Sequence, residues 1–118
     1  MVAVGYTSKG DRLEFNCNGI LCCNSKDLVS LEIPNGVNIV WCINNLLTEL
    51  IIPNGVKEVW CDDNKLTKLI IPESVIKLYC MDNQLTELKI PKFVEYLRCD
   101  KVVSGLDGFI CEIEIVLW

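Results

Sequence analysis

The chain contains no histidine. That removes the commonest general base and the commonest metal ligand from any site it could build. It also lacks a basic run. Its 11 lysines and arginines stand against 16 aspartates and glutamates, a net charge of -5. Nucleic acid and anionic membrane surfaces ask for a positive patch, so neither is an expected partner. No apolar stretch approaches the length of a membrane span. The opening, MVAVGYTSKG, does not show the basic-then-apolar order of a secretory signal. The expectation is an intracellular protein of cytoplasm or nucleus. What the chain has in plenty is apolar residues, 51% of 118, enough to bury the core of one domain but few for two.

Cysteine is the unusual abundance, at 8 residues. In a small secreted chain that number would suggest a disulfide framework. Here no export signal is seen, and five of the eight fall on one period. Cys23, Cys42, Cys61, Cys80 and Cys99 follow one another at a constant interval of nineteen. Pro34, Pro53, Pro72 and Pro91 share that spacing. So do three apolar columns: Leu28, Leu47, Leu66 and Leu85; Leu31, Leu50, Leu69 and Leu88; Ile33, Ile52, Ile71 and Ile90. Asn45, Asn64 and Asn83 form a polar column in the same phase. A fixed period of this size, at the short end of the known repeat families, marks a solenoid.

One unit, VKEVWCDDNKLTKLIIP, can be read physically. Val59 and Cys61 alternate with Trp60, which is the period of a strand. Asp62 to Asn64 is turn chemistry. Leu66, Leu69 and Ile71 then return apolar groups to the interior, and the proline ends that limb in an extended conformation. PNGV at 34–37 and 53–56 turns the chain back to the next strand. So short a unit has no room for a strand plus a full helix and two loops. The coil is therefore expected to carry a strand on one side and extended or short 3₁₀ segments on the other.

Val56, Val59, Cys61, Asn64 and Leu66 match the fixed positions of the leucine-rich repeat, L-x-x-L-x-L-x-x-N-x-L. The resemblance covers residues 18 to 100. The short unit and its N-x-L-T-x-L-x-I-P tail resemble the repeats of bacterial effector proteins, and similar repeats occur in proteins of large DNA viruses and their amoebal hosts. Effector repeats carry a second proline where this chain has Ile51, Ile70 or Lys89. The resemblance implies a mainly β leucine-rich repeat solenoid with a parallel concave sheet. It also implies a virion location if the source is viral. Some effectors join such repeats to a cysteine-dependent ubiquitin ligase, and nothing here is long enough to be that domain.

The ends depart from the pattern, as the ends of a solenoid must. VAVGYT and RLEFNC, joined by SKGD, read as a β-hairpin closing the N-terminal end over residues 1–17. The first repeat is irregular, with Asn18 in a valine column and Lys26 in the asparagine column. After Cys99 the pattern dissolves at Val102 and Ser104, so residues 101–118 read as a C-terminal cap. Within it FICEIEIVLW, 109–118, reads as a closing strand with an apolar edge open to pairing. The whole is expected to be one domain.

The cysteine column points inward in this frame. A ladder of parallel side chains suits neither the disulfide dihedral nor the convergence a metal needs, and buried thiols pack as small hydrophobes. Cys17, Cys22 and Cys111 stand outside the column. Cys22 takes an outward position and is the thiol best placed to react, the alternative being an incidental thiol of the cap. The asparagine column is expected to be buried and bonded to the backbone of adjacent coils. Asp62 and Asp63 do not form a catalytic dyad, because adjacent strand residues point to opposite sides and Asp is common in turns.

Trp41, Trp60, Tyr79 and Arg98 occupy the outward position between the two inward strand residues. They should lie side by side on the concave sheet. Ile39, Glu58, Lys77 and Tyr96 flank them on one side, and Ile43, Asp62, Met81 and Asp100 on the other. Adjacent aromatics stabilise a sheet in their own right. A contiguous patch of Trp, Tyr, Met and Arg is also the composition of a binding hot spot. The expected partner-binding residues are thus Ile39, Trp41, Ile43, Glu58, Trp60, Asp62, Lys77, Tyr79, Met81, Tyr96 and Arg98. The expected function is a non-enzymatic interaction module for a protein partner. A second option is a structural, virion or scaffold protein that self-associates through the same face or its C-terminal edge strand. An enzyme or thiol switch is set aside, because no convergent polar cluster or cofactor motif accompanies the missing histidine. No metal or cofactor is expected.

Overall fold

The structure, a computed structural model, describes residues 1–100 and 114–117. Expectations that fall on Val102, Ser104, Cys111 and Trp118 lie outside them. The described chain is all β, with no residue in a helix. It opens with an antiparallel hairpin, β1 (Val2–Thr7) and β2 (Arg12–Asn16). Four coils follow, with front strands β3 (Ile20–Cys22), β5 (Ile39–Trp41), β7 (Glu58–Trp60) and β9 (Lys77–Tyr79). Their back strands are β4 (Leu28–Glu32), β6 (Glu49–Ile51) and β8 (Lys68–Ile70). Strand β10 (Tyr96–Cys99) continues the front, and β11 (Glu114–Leu117) closes it.

All six front strands are parallel, in the order β11-β10-β9-β7-β5-β3. From β3 to β10 each residue pairs with its own copy in the next repeat, so every column of the sequence becomes a row across the sheet. The last pairing, Tyr96 with Glu114, falls one position short of that offset. The back is less continuous. Strands β6 and β8 pair in parallel, while β4 pairs antiparallel with β1 instead, so the hairpin caps the back of the first coil. Gly5 permits this approach: a Cβ there would stand 2.7 Å from the Leu28 side chain. Of the two conformations expected for the back limb, the extended one forms.

Two kinds of turn close each coil. From front to back, Ser25, Asn44, Asp63 and Asp82 all take positive φ, between 55 and 59°. Asn and Asp tolerate that conformation better than most residues, because their short polar side chains hydrogen-bond locally. From back to front the first two coils use glycine, Gly36 and Gly55, at φ 99 and 95°. The next two have Ser74 and Phe93 there and close instead with bonds from Val75 N–H to the Pro72 carbonyl and from Val94 N–H to the Pro91 carbonyl. The PNG signal marks the turn but is not the sole way to make it.

Between the limbs lies one core. Leu21, Val40, Val59, Leu78 and Leu97 come from the front strands; Leu28, Leu47, Leu66 and Leu85 come from the return limbs. All are at most 2% exposed, and the five repeat cysteines at most 1%, so the thiols fill the same interior as the leucines. The asparagine column lies at the front-to-back corner, where no ladder exists. Asn64 Oδ1 accepts the Leu47 N–H at 3.1 Å, and its amide nitrogen donates to the Cys42 and Cys61 carbonyls at 3.0 and 3.1 Å. Asn45 bridges the coil before it in the same way. These side chains replace the sheet bonds that a turning backbone cannot make.

A second polar ladder sits one step outside and skips a coil. Asn24 Oδ1 accepts the Ile43 N–H at 2.7 Å, and Asp62 Oδ1 accepts the Met81 N–H at 2.7 Å. Asp100 takes the Asp82 and Asn83 N–H groups at 3.1 Å each. At the same repeat position Ile43 and Met81 carry no oxygen to do likewise.

Candidate functional site

The front sheet gathers the expected column into one row. Register places Cys22, Trp41, Trp60, Tyr79, Arg98 and Val116 on successive strands. Trp41, Trp60, Tyr79 and Arg98 are half-buried, as are their flanking residues Ile39, Glu58, Lys77, Tyr96, Ile43 and Asp62. Met81 differs: it is 9% exposed and offers little surface. Its column lies just past the strand end, where the chain has begun to turn.

Most of this row is engaged internally. The rings of Trp60 and Tyr79 stack at 4.2 Å between centroids and 37° between planes. The Arg98 guanidinium lies over the Tyr79 ring at 4.9 Å, and Lys77 Nζ over Tyr96 at 5.0 Å. The Trp60 indole N–H donates to the Glu58 carboxylate. These contacts explain why aromatics and cations recur here, since stacked and cation–π pairs contribute about 0.5–1.5 kcal/mol each. Trp41 is the exception. Among the described residues its ring and its N–H have no partner. Its neighbours Ile39 and Ile43 are half-buried, and Cys22 and Ile20 on the edge strand β3 are exposed. The N-terminal end of the sheet is thus apolar and open, while the other end is charged and self-satisfied. Ile20 was within reach of the sequence, being one full repeat before Ile39, but the irregular first repeat obscured it.

Asp62, at the rim, has its carboxyl raised by partial burial, an effect opposed by the Met81 N–H and by Arg98. Burial pushes every repeat thiol up: Cys23 to about 12 and Cys99 to about 11, with Cys42, Cys61 and Cys80 well above the ordinary range. Neighbouring thiols of the ladder add to the shift, since charging one disfavours charging the next. Such thiols are poor nucleophiles. Seven cysteines are described and all are free, with Cys22 alone exposed. A maleimide applied to the native protein should label Cys22 quickly and spare Cys42, Cys61 and Cys80 until the chain unfolds. Peptide mapping by mass spectrometry reads this, and fast native labelling of any of those three would contradict the core assignment. No group of three or more acidic or cysteine side chains among the described residues is placed to hold a metal ion.

The chain was compared with models of protein families, with curated proteins and with solved structures, and matches none of them. No helix among the described residues is long and apolar enough to cross a membrane. Any functional reading therefore rests on the geometry of this face.

Proposed function

We propose that this chain is a non-enzymatic interaction module of the leucine-rich repeat type, which takes a protein partner on its concave front sheet. The observation that carries the reading is Trp41. A half-buried indole with no stacking or hydrogen-bonding partner among the described residues, beside Ile39, Ile43, Ile20 and Cys22, is held by apolar packing alone. Tryptophan in such a setting is the residue type most enriched in binding hot spots. Trp60, Tyr79 and Arg98 form the adjoining wall and fix its shape by stacking on one another. The leucine-rich repeat assignment is supported by the inward Val56, Val59, Cys61 and Leu66 and by the bonding of Asn64 between coils.

Substitutions separate the two roles. Trp41→Ala should leave a cooperative melt, lowered by about 1–3 kcal/mol for the apolar surface it uncovers, and remove capture of the partner from the native source. Trp60→Ala with Tyr79→Ala should cost more stability, because two half-buried rings, their stacking and the Arg98 contact are lost together, and weaken capture less. If Trp41→Ala captures its partner undiminished, the reading fails.

A scaffold role is the second reading. It is favoured by β11, which lies at the edge of the front sheet and, among the described residues, pairs only with β10. An unpaired edge is a template for another chain.

A further inference from the structure

The back of the solenoid carries a second apolar stripe. Ile51 and Ile70 are 58% and 44% exposed and sit side by side, paired in register on β6 and β8. Extended by the repeat to the coils on either side, their column reads Glu32, Ile51, Ile70, Lys89. The next outward column reads Ser30, Glu49, Lys68, Glu87. Every charged residue of the two columns is exposed. Among the described residues Glu32, Glu49, Lys68 and Lys89 have no hydrogen-bond or ion-pair partner through their side chains. Two open depressions lie along this face. One, of about 780 Å³, contains Glu32, Glu49 and Ile51 and no basic residue; the other, of about 570 Å³, contains Lys68 and Lys89 with one acid, Glu87.

We propose that this face joins two copies of the chain about a two-fold axis that runs parallel to β6 and β8 and passes between them. Such a rotation reverses the order of the coils and keeps each column opposite itself. Glu32 then meets Lys89 of the second copy, Ile51 meets Ile70, Glu49 meets Lys68, and Ser30 meets Glu87. Every pairing occurs twice, as an isologous contact requires. The acid–Ile–Ile–base order is its own complement under this operation, and that self-complementarity selects a second copy as the occupant. A rotation about the solenoid axis would instead set Ile51 against Glu49 and Ile70 against Lys68, burying charge on aliphatic surface. In the proposed arrangement the acid-rimmed depression of one copy receives the lysines of the other. Opposite charges fix the register and the isoleucines supply the apolar contact.

Sedimentation equilibrium of the full chain tests this. Wild type should show a concentration-dependent dimer. Glu32→Lys alone places two lysines together across the axis, and Lys89→Glu alone places two glutamates; each should weaken dimerisation at least about tenfold. The double substitution should restore it. Residues 32 and 89 lie three coils apart, about 14 Å at the interstrand spacing, so repair within one chain cannot mimic that rescue. Ile51→Asp should give a monomer whose circular dichroism melt, at low concentration, matches that of wild type, because the side chain is exposed. A wild-type monomer at about 1 mM would overturn the proposal. So would a dimer indifferent to Ile51→Asp, or a double variant as weak as either single one.

Discussion

Between pH 9 and pH 10 the protein is expected to lose about 4 kcal/mol of stability through Cys42, Cys61 and Cys80 alone. Each of these thiols is neutral when folded, because burial holds its ionisation well above the ordinary range. In the unfolded chain each ionises near its ordinary value of about 8.5. Above that pH the unfolded state has shed protons that the folded state keeps. Stability is therefore complete below about pH 8.5 and falls as pH rises, by up to about 1.4 kcal/mol per thiol per pH unit. Cys23 and Cys99 add to the loss until pH nears about 12 and about 11, where they ionise in the folded chain too. Against a typical total of about 5–15 kcal/mol, the sum is enough to unfold the domain in mild alkali. Urea unfolding at pH 7, 8, 9 and 10 measures it. Cys61→Ala should lower stability at pH 7 yet flatten the alkaline slope by about one thiol's share. A stability that stays level to pH 10 would mean that the thiols are not held protonated inside.

Asn64→Leu should cost about 2–4 kcal/mol. The substitution keeps the branched shape, with somewhat bulkier methyl ends, but removes one acceptor and one donor group from a buried corner. The Leu47 N–H loses the oxygen it donates to, at 3.1 Å. The Cys42 and Cys61 carbonyls each lose one of two amides, keeping Asn45 and Asn83 respectively. The unsatisfied N–H dominates the cost, and the shared carbonyls soften it. Asn83→Leu should cost less, because Asn83 is only half-buried. Chemical denaturation of the two variants side by side gives the comparison. Equal small losses would mean that the corner tolerates an open amide, by admitting water or by relaxing.

The architecture was legible because its determinants are periodic. A residue that recurs once per coil must stack on its copies when the sequence period and the coil length are the same. Cys61 and Asn64 could therefore be placed inside from spacing alone. The same logic put Trp60 outside. Spacing does not reveal how a side chain orients once there. Trp41 and Trp60 hold the same repeat position, yet one is free and the other stacks on Tyr79 and bonds Glu58, because only the later coils supply the partners. Met81 shares its column with Ile43 and Asp62 and still ends up covered. The hairpin was readable from its turn, whereas its antiparallel hold on β4 was not, since nothing periodic links Val4 to Glu32. The back-face isoleucines were visible only as positions where a second proline was missing.

The caps that skip a coil, Asn24 on Ile43 and Asp62 on Met81, have a bearing on length. Leucines and thiols recur with every coil, and corner asparagines with every coil after the first, but this bonding recurs with every second one. By the first measure any single coil could be excised and the neighbours would close over the gap. By the second, excising the coil that carries Asp62 sets the Met81 N–H against Ile43, a side chain with no oxygen to accept it. Removing two coils together preserves both rhythms. Losing the Ile43 coil alone breaks no such bond, because the Asp62 N–H then faces Asn24, so adjacent coils are not equally dispensable.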